Sequence, residues 1–510
     1  MSKLKNLAKE TVIYGFSSIV GKFLNWCLVP FYTYVLPNPG EYGVVTNIYA
    51  WSALLIAILT YGMETGFFRY ASTQKDEDGV NCVYTTTLTS LCMTSTAFLV
   101  LLFFVERPLA SILGYGAHPE YIGILFGIVA IDAINCIPFS YLRLKQRPVM
   151  FMVIKIASIL VNILFNVFFL LACPRIYAVH PTWLDWFYAP GQEILFIFVA
   201  NLISTAFTTV LLLPFILGRR WRFDGQLLRR MLRYSWPLLL LSVAGIMNQS
   251  IDKIIFPLIY PDVEVGRAEL GIYGACFKIA MVMMMFTYAF RFAYEPFVFS
   301  KNKDRDSRQT YADAMKYFVI TSLLILLGIV AYLDVLGLLI EAKYRIGLRV
   351  VPIVLTTYLF QGVFYNLSMW YKLTDKTIYG TIFSLVGLAV TLALDLIFIP
   401  KFSYMACAWA SFVSFALVMF ASYFIGQKYF PVRYDLRRIG IYVALAGVLL
   451  ACMLLVRLDN VWLNLLWRNL LLAPFLLYLL KTDLPLRQML ALQRHQSQAS
   501  TDKENIRQNQ

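Results

Sequence analysis

Apolar runs long enough to cross a bilayer recur fourteen times along this chain, and that recurrence leaves few folds open. A helix rising 1.5 Å per residue needs about 20 apolar residues to span the hydrocarbon core. Runs near that length cover 11–36, 44–68, 81–105, 120–142, 149–172, 191–217, 235–260, 269–297, 314–339, 350–371, 377–399, 404–426, 439–456 and 461–480. Lipid solvates neither loops nor open strand edges, so each run must close its own backbone hydrogen bonds. The expected fold is therefore all-α and integral to the membrane, with about fourteen transmembrane helices. Composition agrees, since 60% of the residues are hydrophobic and only 14% are charged. The first run is too long for the apolar core of a signal peptide, and no small-residue cleavage site ends it. It is expected to remain as the first helix.

The net charge of +15 would suit a nucleic-acid partner if the basic residues formed a patch. They instead sit in short clusters between apolar runs. Of the 44 Lys and Arg, 30 fall on the side holding the N-terminus, 9 on the other side and 5 inside runs. That bias predicts cytoplasmic N- and C-termini and no nucleic-acid partner. No glycine-rich phosphate loop, metal-ligand cluster or Gly-x-Ser-x-Gly elbow occurs, and His118, His180 and His495 lie far apart. No metal, cofactor or catalytic residue is predicted. The eight cysteines form no Cys-x-x-Cys pair and read as small packing residues.

The run Ser235–Tyr260 departs most from a plain span. Its second half carries Asn248, Gln249, Ser250, Asp252 and Lys253. Asn248 and Asp252 form one i,i+4 stripe, and Gln249 and Lys253 form the stripe beside it. A charge at mid-membrane costs about 2.5–3.5 kcal/mol on insertion scales, so this face must look into protein or water. Two expectations compete. Either the face lines a polar path, or Asp252 and Lys253 merely neutralise each other inside a bundle.

The basic segment Gly218–Tyr234 divides the chain after six runs, and the second half echoes the first. Leu36-Pro37…Glu41-Tyr42-Gly43 corresponds to Tyr260-Pro261…Ile272-Tyr273-Gly274, and Lys22 and Lys253 each sit in an opening helix. Six spans per half give repeats of the same orientation, related by an axis along the membrane normal. The expected domains are a six-helix bundle over 1–226, a second over 227–427, an extra helix pair over 428–480 and a polar, disordered cytoplasmic tail over 481–510.

The basic start, a first helix with Gly15, Gly21 and Lys22, and the motif Leu36-Pro37…Glu41-Tyr42-Gly43 resemble those of bacterial polysaccharide-export flippases. These belong to the superfamily of multidrug, oligosaccharidyl-lipid and polysaccharide exporters. The resemblance extends over 5–480 in topology, with its specific motif confined to about 35 N-terminal residues. It implies alternating access in the bacterial cytoplasmic (inner) membrane. A polyprenyl-diphosphate-linked oligosaccharide would be turned toward the periplasm for O-antigen, lipopolysaccharide or capsule assembly, with membrane lipids and a polysaccharide polymerase as partners. Alternatives are a lipid II flippase, a drug antiporter of the same superfamily, and a membrane polymerase or ligase.

In that family, helices one, two, seven and eight line the central cavity. By helix order this brings Lys22, Asn25, Glu64, Arg69, Asn248, Asp252, Lys253, Lys278 and Arg291 toward one space. Lys22 and Lys253 are expected on opposite walls, holding the diphosphate as charge-assisted partners. Arg291 is alternatively an i,i+4 partner of Glu295, and Glu64 and Arg69 are alternatively snorkelling interface residues. Asp132, Asp395 and Glu64 are the candidate ion-coupling carboxylates, although Asp395 is expected near the external interface. Lys155, Asn162 and Asn166 share a face of the fifth helix and are expected to glue helices together. The patch Met281–Met285 reads as packing or as room for a lipid tail.

Overall fold

The computed structural model describes residues 20–218, 220–301, 307–374, 376–456, 458 and 460–483. Lys3, Lys5, Lys9 and Gly15 lie outside them, as does the tail beyond Asp483. Helix accounts for nearly all described residues, and no strand occurs among them. Thirteen helices are long and apolar enough to cross a membrane. In chain order they follow α1 (20–35) as α2 (Pro39–Ala71), α3 (Glu77–Ile112), α4 (Glu120–Leu144), α5 (Pro148–Val179) and α6 (Glu193–Leu217). Next come α7 (Gly225–Ile259), α8 (Val263–Lys301), α9 (Ser307–Ala331) and α10 (Ala342–Leu373). The last four are α11 (Ile378–Phe402), α12 (Tyr404–Tyr429), α13 (Leu436–Leu455) and α14 (Val461–Thr482). With α1 these match the fourteen runs one for one.

One boundary differs from the hydropathy reading for a local reason. The basic segment 218–234 reads as a loop between runs, yet α7 begins at Gly225. Asp224 caps it, accepting hydrogen bonds from the backbone N–H of Gln226 (2.9 Å) and Leu227 (3.0 Å). Such a cap satisfies orphan amides and is worth about 1 kcal/mol. Leu227 and Met231 then pack among Met63, Phe67, Tyr84, Leu88 and Ile137. A helix turn that is half basic and half buried is invisible to a hydropathy window.

The chain separates into two units. The larger holds α1–α8 and α10–α12, and its organising contact is the crossing of α2 and α8. A Cβ added at Gly43 would collide with the Arg267 carbonyl, and one at Gly271 with that of Pro39. The two backbones therefore meet directly, which small residues alone permit. Around this crossing, Tyr115 donates to Asn47 Oδ1 (2.8 Å), and Arg267 donates to the Gly114 carbonyl. Lys343 donates to the carbonyls of Leu36 (3.0 Å) and Pro37 (2.7 Å), closing the same end. At the opposite end Glu64 pairs with Arg143, Lys145 pairs with Glu77, and Asn81 donates to the Arg220 carbonyl (2.7 Å). Within α2 the helix breaks at Tyr61–Gly62, where Gly62 takes φ +71° beside the Ser235 carbonyl. Glycine reaches that left-handed conformation without a Cβ penalty.

The smaller unit holds α9, α13 and α14. Its helices are joined by ion pairs, the first buried on both sides and the second reaching an exposed carboxylate. Lys316 on α9 pairs with Asp483 (3.0 Å), and Arg468 on α14 pairs with Asp334 (3.0 Å). Tyr442 on α13 donates to Asp483 Oδ2 (2.7 Å), and Asn464 donates to Asp334 Oδ2 (2.7 Å). Arg468 is buried and also donates to the Val330 carbonyl (3.3 Å).

Candidate functional site

A cavity of about 380 Å3 lies in the larger unit, lined by α1, α2, α5, α6, α7, α8 and α10. Three helices beyond the predicted four contribute: α5 packs on α1 through Asn166 and Tyr32, α6 meets α2 through Asn201 and Tyr49, and Tyr358 of α10 packs on Phe277 of α8. The predicted residues Asn25, Lys253 and Lys278 line it. Asn248 and Asp252 stand just behind, against a smaller recess shared with Tyr273 and Gln361.

Lys253 is anchored. Its Nζ lies 3.0 Å from both carboxylate oxygens of Asp252, 3.4 Å from the Gln249 carbonyl and 3.9 Å from the Phe277 ring centre. Asp252 also accepts from Tyr273 Oη (2.8 Å) and from the Lys253 backbone N–H (2.9 Å). The neutralising pair and the cavity-lining lysine are thus the same residues, so neither competing expectation displaces the other. Lys278 differs. It has no carboxylate within ion-pair distance among the described residues, and its own carbonyl accepts from Trp26 Nε1 (2.7 Å). It is the cation most available to a ligand in the cavity.

Lys22 does not line the cavity. Its Nζ sits 3.8 Å over the ring of Tyr288, while Lys253 sits over Phe277. These rings are three helical turns apart on α8, about 16 Å along its axis. The sequence repeat pairs the two lysines by number but not by height. Arg69 stacks over Tyr234 (4.1 Å) and Arg291 over Tyr365 (4.9 Å), both away from the cavity. The Glu295 side chain lies outside the described residues. Glu64 is held by Arg143.

The candidate acids separate clearly. Asp132 neighbours Lys155 and Thr205, and Lys155 lies 4.3 Å over the Phe139 ring. Asp395 on α11 is fully buried, and neither of its carboxylate oxygens finds a hydrogen-bond partner among the described residues. Asp252 and Lys253 are its charged neighbours. No group of three metal-ligating side chains occurs among the described residues, and all eight cysteines are free.

Sequence reasoning missed one wall. Asn162, expected to glue helices, lines the cavity, and Asn201, Tyr32 and Tyr49 line it too. Asn166 is the true glue, accepting from Tyr32 Oη (2.9 Å) and donating to Asn162 Oδ1 (2.9 Å). Amides inside apolar runs were the available signal, but spacing alone gave Asn162 and Asn166 one face and no means to rank them. Of the methionine patch, Met281 and Met284 line the cavity.

Comparisons with known proteins bear on this arrangement. No curated protein sequence matches the chain significantly. The solved lipid II flippase MurJ, in an inward closed conformation, superposes with a TM-score of 0.71 at 14% identity, covering 93% of this chain and 99% of that one. An inward-facing multidrug resistance MATE family transporter gives 0.64 at 12% identity, over 80% of this chain and 94% of its own. A third, the MATE multidrug transporter DinF-BH, gives 0.59 at 17% identity, over 83% of this chain and 95% of its own. These likenesses establish the fold, that of multi-pass membrane transporters. The sequence profile of one family matches residues 7–302, more than half of the chain, so the chain belongs to the polysaccharide biosynthesis protein family.

Proposed function

We propose that this chain is a flippase of the bacterial cytoplasmic membrane. It turns a polyprenyl-diphosphate-linked oligosaccharide from the cytoplasmic to the periplasmic leaflet for surface polysaccharide assembly. The observation that carries this reading is the cavity, which both halves line and which holds Lys253 and Lys278 in a chain of the polysaccharide family. A diphosphate taken out of water needs cationic partners, and a buried ammonium supplies charge-assisted hydrogen bonds. Lys278 is the primary contact, because Asp252 already engages Lys253. Alternating access follows if the α2–α8 crossing opens while the other end closes. Asp395, buried without a partner among the described residues, is the candidate coupling carboxylate.

The test uses purified protein in proteoliposomes carrying the lipid-linked oligosaccharide in both leaflets. A membrane-impermeant glycosidase reads the exposed fraction. Wild-type protein is expected to bring nearly all of the lipid to the enzyme, and Lys278→Gln to slow that tenfold or more. Failure to move this lipid while moving lipid II, or a fluorescent organic cation, would replace the reading with a lipid II flippase or a small-molecule antiporter. Orientation has its own check. Tags at Asn38, His180 and Pro261 should report from the periplasm, and tags at Asp78, Gly225 and Gln510 from the cytoplasm.

A further inference from the structure

The two walls of the cavity differ in kind. Both of its charged lining residues, Lys253 and Lys278, stand on the α7–α8 wall. Among the described residues, the wall built by α1, α2, α5 and α6 lines the cavity with no charged side chain and presents Asn25, Asn162 and Asn201 among tyrosines. Two of these amides are held in place. The Asn162 carboxamide oxygen accepts from Asn166 Nδ2 (2.9 Å), which directs the Asn162 NH2 elsewhere, and Asn166 is fully buried and fixed by Tyr32 Oη. Asn201 Nδ2 donates to Tyr49 Oη (3.3 Å), and its carboxamide oxygen has no hydrogen bond among the described residues. Two residues beyond Asn166 the helix passes into a π-helical turn, Phe168–Ala172. Such turns re-aim neighbouring side chains and recur at functional sites.

We infer that this first-half wall is the sugar-reading subsite. Asn162 and Asn201, with Asn25, take the neutral hydroxyl- or acetamido-bearing sugar next to the diphosphate, whose charge the α7–α8 lysines hold. The chemistry favours this division. Uncharged amides with donors and acceptors in fixed directions match hydroxyl and acetamido groups, and tyrosine faces suit the apolar face of a pyranose. They bring a phosphate no counter-charge, whereas a lysine ammonium supplies both a hydrogen bond and the opposite charge. A site built on hydrogen bonds to a substrate rejects analogues lacking the partner group, because its own polar atoms are then left unpaired.

This inference rests on the flippase reading, and its test separates the two. Affinity of the detergent-purified protein is measured for two probes, the polyprenyl diphosphate bearing its sugar and the same polyprenyl diphosphate without sugar. Asn162→Ala/Asn201→Ala is expected to weaken binding of the sugar-bearing lipid about tenfold while changing binding of the bare diphosphate less than about twofold. Lys278→Gln is expected to weaken both. Equal loss for both probes in the amide variant would overturn the subsite and make the wall structural. Unchanged affinity for both would overturn it as well. Asn166→Leu, judged by its melting temperature, reports what loss of the Asn162 anchor alone does to folding. If wild-type protein binds neither probe, the flippase reading itself fails.

Discussion

Two charge clusters in this molecule look alike in composition and differ in how their charges balance. In the smaller unit each carboxylate of the cluster is answered by a cation. Asp483 receives Lys316 (3.0 Å), Tyr442 (2.7 Å) and Arg438 (3.3 Å), and Asp334 receives Arg468 (3.0 Å) and Asn464 (2.7 Å). In the larger unit one lysine serves two carboxylates. Asp252 takes both contacts of Lys253, and Asp395 is left fully buried with neither oxygen bonded among the described residues. Burying an ion costs several kcal/mol, and a fully hydrogen-bonded partner offsets that cost. A satisfied cluster needs no task beyond holding helices together. An unsatisfied one, kept beside a cavity, stores free energy that structure alone does not require, and such groups mark functional sites.

The largest effect should come from breaking the balanced cluster. Asp483→Ala leaves Lys316 buried without its carboxylate, and removing one partner of a buried pair costs roughly 3–5 kcal/mol. The melting temperature in detergent should fall steeply. Replacing both partners, Lys316→Met with Asp483→Leu, should recover most of that loss. A single variant as stable as wild type would show the cluster to be dispensable, and the contrast would lose its structural arm.

The same carboxylate predicts a pH dependence. Burial alone would raise the Asp483 carboxyl, but hydrogen bonds from Tyr442 and Lys316 outweigh it and hold the group below the usual carboxylate range. A lowered folded-state value means the stabilisation is present above the unfolded value, about pH 4, and is lost as pH falls through the folded one. Melting of the wild type should therefore drop more steeply between about pH 5 and pH 3 than melting of Asp483→Asn. Parallel curves would remove Asp483 from the stability of this unit.

Next in size is Asp252→Asn, which leaves Lys253 facing the cavity without its counter-charge. The lysine keeps the Gln249 carbonyl and the Phe277 face, and cavity water reaches it, so a cost of about 1–3 kcal/mol is expected. Adding Lys253→Gln should restore stability. A double variant that is stable but moves no lipid would make the pair part of the transport machinery. One that transports normally would place it with the balanced cluster, as structure.

How much of this was legible in the sequence follows from what each signal reports. Run length placed the spans because every backbone amide in lipid must bond within its own helix. The adjacency of Asp252 and Lys253, just beyond Gln249 and Ser250, announced a polar helix face without saying what it faced. Two things stayed hidden. Lys22 and Lys253 match in the sequence repeat, yet α1 and α7 carry them at different heights, because repeat numbering ignores where each helix meets its neighbour. The grouping of α9 with α13 and α14 rests on Lys316, Asp334, Arg468 and Asp483. In sequence these read as ordinary charges at the ends of runs. Pairing between residues more than a hundred positions apart leaves no periodic trace.

The smallest stability effect is expected at the residue that separates the two clusters most sharply. Asp395→Asn keeps the size of the side chain and replaces an oxygen that bonds to nothing among the described residues. No partner is orphaned by the change, and the repulsion from Asp252 is relieved, so melting should move by less than about 0.5 kcal/mol or rise slightly. Asn neither releases a proton nor carries the charge that would hold a cation. If Asp395 couples transport to an ion gradient, the Asn variant should bind lipid-linked oligosaccharide like wild type. It should, however, lose the acceleration that an imposed proton or cation gradient gives in proteoliposomes. A melting loss as large as that of Asp483→Ala would mean Asp395 has a structural partner after all, and the contrast between the clusters would collapse. Full gradient dependence in a stable variant would leave the imbalance real but remove Asp395 from coupling.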